Sequence, residues 1–201
     1  MNSGRLWIQA LPELLGAAQV EEDSREECDI FKNSKMTATA LTAREFRNAL
    51  GQFATGVTVV TVEREPGSIF GMTASAFTSV SLNPMLILVC VEERARILPM
   101  LHKRRRFGIS VLKQSQQGVS EYFAQPEQDA EAERRLALRY RWTPEGVPVL
   151  EDTVAQLSCS VVATHAAGDH TIIVGKVEDA EIQGGEPLLF FRGEYRHIAR
   201  Q

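Results

Sequence analysis

The sequence predicts a mainly β protein, a closed antiparallel barrel with a few short helices around it. Three observations lead there. From Phe53 to Val62 the β-branched residues crowd together as Thr55, Val57, Thr58, Val59, Val60, Thr61 and Val62, which suits a strand buried on both faces. Met85 to Val91 is the most apolar run in the chain, and Ala155, Leu157, Cys159, Val161 and Ala163 alternate with mostly polar residues, the pattern of a half-buried strand. Helical patterns are few and short, and neither βαβ alternation nor a Rossmann glycine motif is present.

With 201 residues, 44% hydrophobic and 24% charged, the chain is long enough for one well-filled core. A net charge of −4 argues against a general nucleic-acid binder. No run of ~18 apolar residues suggests a membrane span. Cys28, Cys90 and Cys159 are too far apart for a CxxC motif, and a reducing cytoplasm is the expected compartment.

Residues 1–35 differ in character from the rest. Leu6 to Leu15 is briefly apolar without a basic start or a small-residue cleavage site, and the acidic patch Glu21-Glu22-Asp23 with Glu26-Glu27 follows. The expectation is an N-terminal extension, either a disordered tail or the product of an upstream start codon, with a partner-docking arm as the functional alternative. Residues 36–201 are expected to form the single folded domain.

Within that domain, Thr42-Ala43-Arg44-Glu45 reads as a capping box with Leu41 and Phe46 as its staple. It opens a helix from about Ala43 to Gly51, whose Phe46 and Leu50, with Phe53, are expected in the core. Glu65-Pro66-Gly67 is a turn, and Ser68 to Ala76 returns as a second strand. Met85 to Val91 is a third strand. Arg94 to Arg106 is helical in pattern around Pro99 and ends in the basic cluster His102-Lys103-Arg104-Arg105-Arg106. That cluster is either a solvated face or a patch that attracts phosphates. Phe107 to Leu112 is a fourth strand, Lys113 to Ala124 a helix, and Pro126 to Leu138 a charged, helix-favouring stretch. Gly146-Val147-Pro148 is a loop before the alternating strand. His170 to Val177 and Leu188 to Phe191 supply the last strands.

One stretch stands out chemically: Gly71-Met72-Thr73-Ala74-Ser75-Ala76-Phe77-Thr78-Ser79-Val80-Ser81-Leu82-Asn83-Pro84. Small side chains let a flat ligand approach the backbone, and hydroxyls beside free amides suit a phosphate or the polar edge of a ring. A Ser/Thr-rich strand and turn without a ligand has the same composition. Hydrolase and metal readings fail, since there is no GxSxG elbow and the four histidines show no ligand spacing.

The run Phe53-Ala54-Thr55-Gly56-Val57-Thr58-Val59-Val60-Thr61 and the stretch just quoted resemble the short-chain flavin reductases, the reductase components of two-component flavin monooxygenases. So do Phe107 to Leu112, Gly168-Asp169-His170 and Pro187 to Tyr195, so that the resemblance spans roughly residues 42–198 in order. It implies the flavin-binding split barrel, an antiparallel, Greek-key-like fold, and an NAD(P)H-dependent reduction of free FAD or FMN. It also implies a homodimer with the flavin near the interface, and delivery of reduced flavin to a separate monooxygenase.

By the same resemblance, Phe70, Gly71, Met72, Thr73, Ala74, Ser75 and Ala76 form the flavin cradle, with Cys90 and Val91 alongside. Arg96 is placed for the flavin phosphate, for which a guanidinium fork is well suited. Tyr122 and Phe123 are candidates to close over the flavin, with a plain core role as the alternative. His170 is placed near the nicotinamide, and Phe190, Phe191, Arg192 and Gly193 where NAD(P)H is held. Ala76, Met85 and Ser110 depart from the family pattern. Two other readings keep the barrel: a flavoprotein that holds FMN tightly as an electron carrier, and a non-catalytic interaction module.

Overall fold

The computed structural model describes residues 41–199, and the 1–35 extension lies outside them. Helix α1 (Ala43–Leu50) leads into β1 (Thr55–Gly56), β2 (Thr58–Glu65), β3 (Ser68–Ala74), β4 (Phe77–Leu82) and β5 (Met85–Glu92). Helix α2 (Ile97–Arg104), β6 (Arg106–Val111), a 3-10 turn (Gln114–Gln116), α3 (Gln117–Phe123) and α4 (Ala130–Arg135) follow. The chain ends with β7 (Tyr140–Trp142), β8 (Pro148–Leu150), the long pair β9 (Ala155–Ala167) and β10 (His170–Ile182), then β11 (Leu189–Phe191) and β12 (Glu194–Arg196).

Seven strands form one antiparallel sheet in the order β3-β2-β6-β9-β10-β5-β4. A closed barrel would pair its first and last strands, but β3 and β4 are the two edges and only Ser75-Ala76 joins them. The predicted closed barrel is therefore split, and the split runs through the middle of the hydroxyl-rich stretch. That stretch contains a strand, β4, which the sequence did not separate from its neighbours. The β7–β8 pair and β12 are likewise strands of three residues each, too short to show a period.

β2 earns its β-branched composition by facing two cores. Val60 and Val62 pack inside the barrel with Phe70, Ile87, Val89, Val91, Phe107 and Ile173. Val57 and Val59 turn the other way, to Leu112, Val119, Tyr122, Phe123, Leu150 and Leu188 under α3. With both faces buried, alternation disappears and a continuous apolar run results.

The capping box at α1 is present: the Glu45 N–H donates to Thr42 Oγ1 at 3.2 Å, and the Thr42 N–H donates to Glu45 Oε2 at 2.9 Å. The expected core role of its apolar residues is not. Leu41, Phe46, Leu50 and Phe53 are 67%, 52%, 58% and 77% exposed, so α1 carries an apolar face that the barrel does not cover. Its spacing is that of a buried helix because an exposed apolar stripe and a core-facing stripe have the same period.

Candidate functional site

The site begins at the free edge of β3. In an antiparallel ladder, alternate residues turn both backbone groups away from the partner strand. Gly71 is one of these: its N–H donates to Gln128 Oε1 at 3.2 Å, and its carbonyl accepts from Gln128 Nε2 at 2.6 Å. The same alternation turns the N–H and C=O of Thr73, two residues on, toward the open edge. The Thr73 hydroxyl donates to the Ser120 carbonyl at 2.6 Å, which ties the strand to α3.

Beside this edge lies a cleft of about 320 Å³ lined by residues that include Phe70, Gly71, Met72, Arg94, Arg96, Phe123 and Gln128. The volume is at the lower end of ordinary ligand pockets. Arg96 lies across it, with its guanidinium 5.5 Å from the Phe70 ring centre and donating to the Pro126 carbonyl at 2.9 Å. Its side chain is half exposed, and the same nitrogen lies 3.4 Å from Glu127 Oε1.

Gly71 is required here for space. A Cβ at this position would lie 2.6 Å from Phe123 Cδ1 and Cε1, and the Phe123 ring is 2% exposed within the second core. A flavin ring needs a flat approach to backbone donors and acceptors with a cation for its phosphate. The outward backbone groups of Thr73 and the Arg96 guanidinium fit that demand, whereas the space beside Gly71 is filled by Phe123 and its N–H and C=O are bonded to Gln128.

The other predicted residues divide clearly. Ala74 and Val91 are buried in the first core, so near a ligand they could offer only backbone. Cys90 is half-buried, and its N–H donates to the Ala76 carbonyl at 3.1 Å, which holds β5 against the β3–β4 junction. Ser75 and Ala76 form that junction. Phe123 both lines the cleft and belongs to the core, whereas Tyr122 is a core residue. The Tyr122 hydroxyl donates to Glu133 Oε1 at 3.0 Å, and burial, with that carboxylate beside it, pushes its pKa above the ordinary phenol range. Ser110 is buried away from the cleft, accepting the Leu150 N–H at 2.9 Å.

The Gly-Asp-His loop sits next to the cleft's other wall. His170 pairs with Glu92 at the end of β5, and the Glu93 N–H donates to the Asp169 carbonyl at 3.0 Å. Asp169 Oδ1 is 2.7 Å from His170 Nδ1. That hydrogen bond, with the charge of the ring and of Arg94, holds the Asp169 carboxyl below its ordinary value. Adjacent residues on a strand face opposite ways, but Gly168 at φ +66° makes this a turn, and the two side chains meet.

Phe190, Arg192 and Gly193 lie elsewhere, around a second cavity under α1. β11 pairs with β1 in a separate three-stranded sheet. The single chain thus divides the predicted NAD(P)H set between two places. Gln128 was missed by sequence reading because a glutamine in a charged segment carries no signal until its partner, 57 residues away, is known. Cys159 is buried in the first core, where burial, with Glu178 nearby, pushes its thiol up to about 12. It has no part in this cleft.

A split β-barrel with a small cleft at its open edge and an arginine across it is an arrangement that a flavin-binding protein can use. Residues 50–199 match the family model described as the flavin reductase like domain, and the chain belongs to that family. It is 42% identical over 81% of its length to an NADH-dependent flavin reductase of Rhodococcus, 94% of which is covered. A 4-hydroxyphenylacetate 3-monooxygenase reductase component from Thermus thermophilus is 40% identical over 76% of this chain and 95% of that one. Among solved structures, the Streptomyces globisporus NADH:FAD oxidoreductase in complex with NAD and FAD fragments superposes with a TM-score of 0.70. It is 35% identical and covers 78% of this chain and 92% of its own.

Proposed function

We propose that this chain is an NAD(P)H-dependent flavin reductase that reduces free FAD or FMN and passes the reduced flavin to a separate monooxygenase. The carrying observation is the cleft in which the open β3 edge faces Arg96, with the Asp169–His170 pair at its border. The family and the names of its relatives support the same reading. A bound flavin supplies the hydride acceptor, so the protein has only to bind, orient and shield.

In this reading the backbone from Phe70 to Ala76 holds the ring's polar edge and Arg96 holds the phosphate. Cys90 lies alongside, and Asp169 fixes the His170 ring toward the nicotinamide. Arg94, Arg96, Ala124, Gln125 and Pro126 on the cleft's wall are exposed, an open rim that favours release of the flavin over a tightly held carrier.

We infer a homodimer as well. The exposed apolar face of α1, with Leu41, Phe46, Leu50 and Phe53, would be costly to leave in water. The separation of His170 from Phe190–Gly193 within one chain also has a natural remedy if a second copy brings the halves together. The two cysteines among the described residues are free thiols, which suits a cytoplasmic protein. No helix of the described residues is long and apolar enough to cross a membrane.

The test is oxidation of NADH and of NADPH by the purified protein, followed by absorbance with FAD or FMN added. A rate that rises with free flavin is expected. Flavin that stays bound through gel filtration with no NAD(P)H oxidation would replace the reductase with a carrier.

A further inference from the structure

We propose that residues 124–129, between α3 and α4, form an autoinhibitory strap that occupies the flavin's own contacts and has to lift before flavin can bind. This rests on the reductase reading only for the identity of the ligand that the strap excludes. Ala124, Gln125, Pro126 and Gln128 line the cleft beside the β3 edge. Three consecutive residues, Pro126, Glu127 and Gln128, tie the strap to both walls of that cleft.

On the β3 side, the Gln128 carboxamide takes both backbone groups of Gly71. Its Oε1 accepts the Gly71 N–H at 3.2 Å, and its Nε2 donates to the Gly71 carbonyl at 2.6 Å. An acceptor beside a donor is also what the pyrimidine edge of a flavin ring presents, as a carbonyl next to an N–H. On the opposite side, Arg96 Nη1 donates to the Pro126 carbonyl at 2.9 Å and lies 3.4 Å from Glu127 Oε1. These are the oxygens that a phosphate would replace on the guanidinium. One short segment thus imitates both ends of a single ligand, the polar edge of its ring and its phosphate.

The latches are weak and the ends of the strap are firm. Residues 124–127 are exposed. The Glu127 side chain is 89% exposed, where an ion pair is worth little. No backbone–backbone hydrogen bond among the described residues involves Pro126, Glu127 or Gln128. At one end the Ala124 N–H donates to the Ser120 carbonyl, and Tyr122 and Phe123 are buried in the second core. At the other, Asp129 caps α4 by accepting the Ala132 N–H at 2.7 Å. A segment pinned at both ends and latched only through side chains can lift without unfolding its neighbours. The cleft of about 320 Å³ is small for three fused rings with a ribityl phosphate, and lifting the strap supplies the room. Apparent affinity falls with the fraction of molecules that are open, so the latches weaken flavin binding and their reclosing helps to expel the ligand.

Fluorescence titration with FMN and with riboflavin compares the wild type with Gln128→Ala and Glu127→Ala. Removing a cleft-wall contact ordinarily weakens a ligand, but here Gln128→Ala is expected to bind FMN about fivefold more tightly, because the open fraction rises. The variant acts on the strap and not on the ligand, so riboflavin should gain by the same factor. Glu127→Ala, which breaks the weaker latch, should tighten both flavins about twofold. A second measurement needs no variant. Cleavage of the wild type after Glu127 by a glutamate-specific protease, located by mass spectrometry, should speed up when FMN is added, since a displaced strap is freer to enter a protease. Unchanged or weaker flavin binding by Gln128→Ala, a gain for FMN alone in both variants, or slower cleavage after Glu127 with FMN would overturn the proposal. Equal affinities in a protein that oxidises NADH with free flavin would remove the strap and leave the reductase reading. A strap that competes with flavin as described, in a protein that never oxidises NAD(P)H, would sink that reading and leave the strap standing.

Discussion

Gly71→Ala perturbs the site and the core through one methyl group. The added Cβ would come within 2.6 Å of two Phe123 ring atoms and 3.2 Å of Val59 Cγ1. Phe123 cannot swing away, because its ring is packed among Val57, Val59, Leu112 and Leu188. Overpacking of this kind costs about 1–3 kcal/mol. Against it, alanine narrows the unfolded ensemble and returns about 0.4–1 kcal/mol. The backbone at Gly71 is not left-handed, so no conformational penalty is added. A net loss of about 1–2 kcal/mol follows, or roughly 2–8 °C in Tm for a domain of this size.

The assay is thermal and urea unfolding of the wild type, Gly71→Ala, Phe123→Leu and the double variant. Leucine vacates the space that the new methyl needs, so the double variant should be more stable than the sum of the single effects by about 1 kcal/mol. A Gly71→Ala protein as stable as the wild type, or strict additivity, would refute the packing argument. Flavin affinity should fall in Gly71→Ala and recover in part in the double variant, because Phe123 also forms the cleft wall.

Three further outcomes are expected. Arg96→Ala should weaken FMN binding about tenfold, as for one half-exposed charge-assisted contact of about 1.4 kcal/mol, without weakening that of riboflavin, which lacks the phosphate; equal losses in fluorescence titrations would remove Arg96 from the phosphate. Gln128→Ala should speed hydrogen exchange at the Gly71 amide about tenfold, since this side chain is its bonding partner at the open edge; unaltered protection would mean the pairing is not formed in solution. The Asp169 carboxyl, held below its ordinary value of 3.8 by His170, contributes its pairing above that value and loses it only as acid carries the pH down through the depressed pKa. A carboxyl titration by NMR should therefore show Asp169 ionised at pH 4, and Asp169→Asn should raise the KM for NADH with a smaller change in kcat.

Much of the architecture was legible because local chemistry and tertiary role agreed. The capping box at Thr42, the β-branched run of β2 and the alternation of β9 each encode an element by period or by a cap, and each element is present. The elements missed were those whose signal is short or shared. β4 merges with β3 in sequence because Ser75 and Ala76 carry no Gly or Pro turn signal, although the chain bends at Ser75, and their role as the split between sheet edges exists only once strand order is known. The apolar stripe of α1 was legible as a stripe, but not as an exposed one.

For the site, small residues beside amides allowed a flat ligand, and the family resemblance supplied the flavin and an arginine for its phosphate. Geometry then decided which of them can act. Val91 and Ala74 face the core, Tyr122 is held by Glu133, and Gln128 joins the cleft from a charged segment with no motif of its own. The sequence alone determined the β class, the chemistry of the cradle and its family likeness, because these depend on side-chain identity and on spacings within one strand or turn. Tertiary structure alone decided where the barrel opens, which faces are covered, and that Gln128 meets Gly71 while Pro126 meets Arg96. Those facts depend on contacts between residues 30 or more positions apart, and loop closure over such distances leaves no trace in local periodicity.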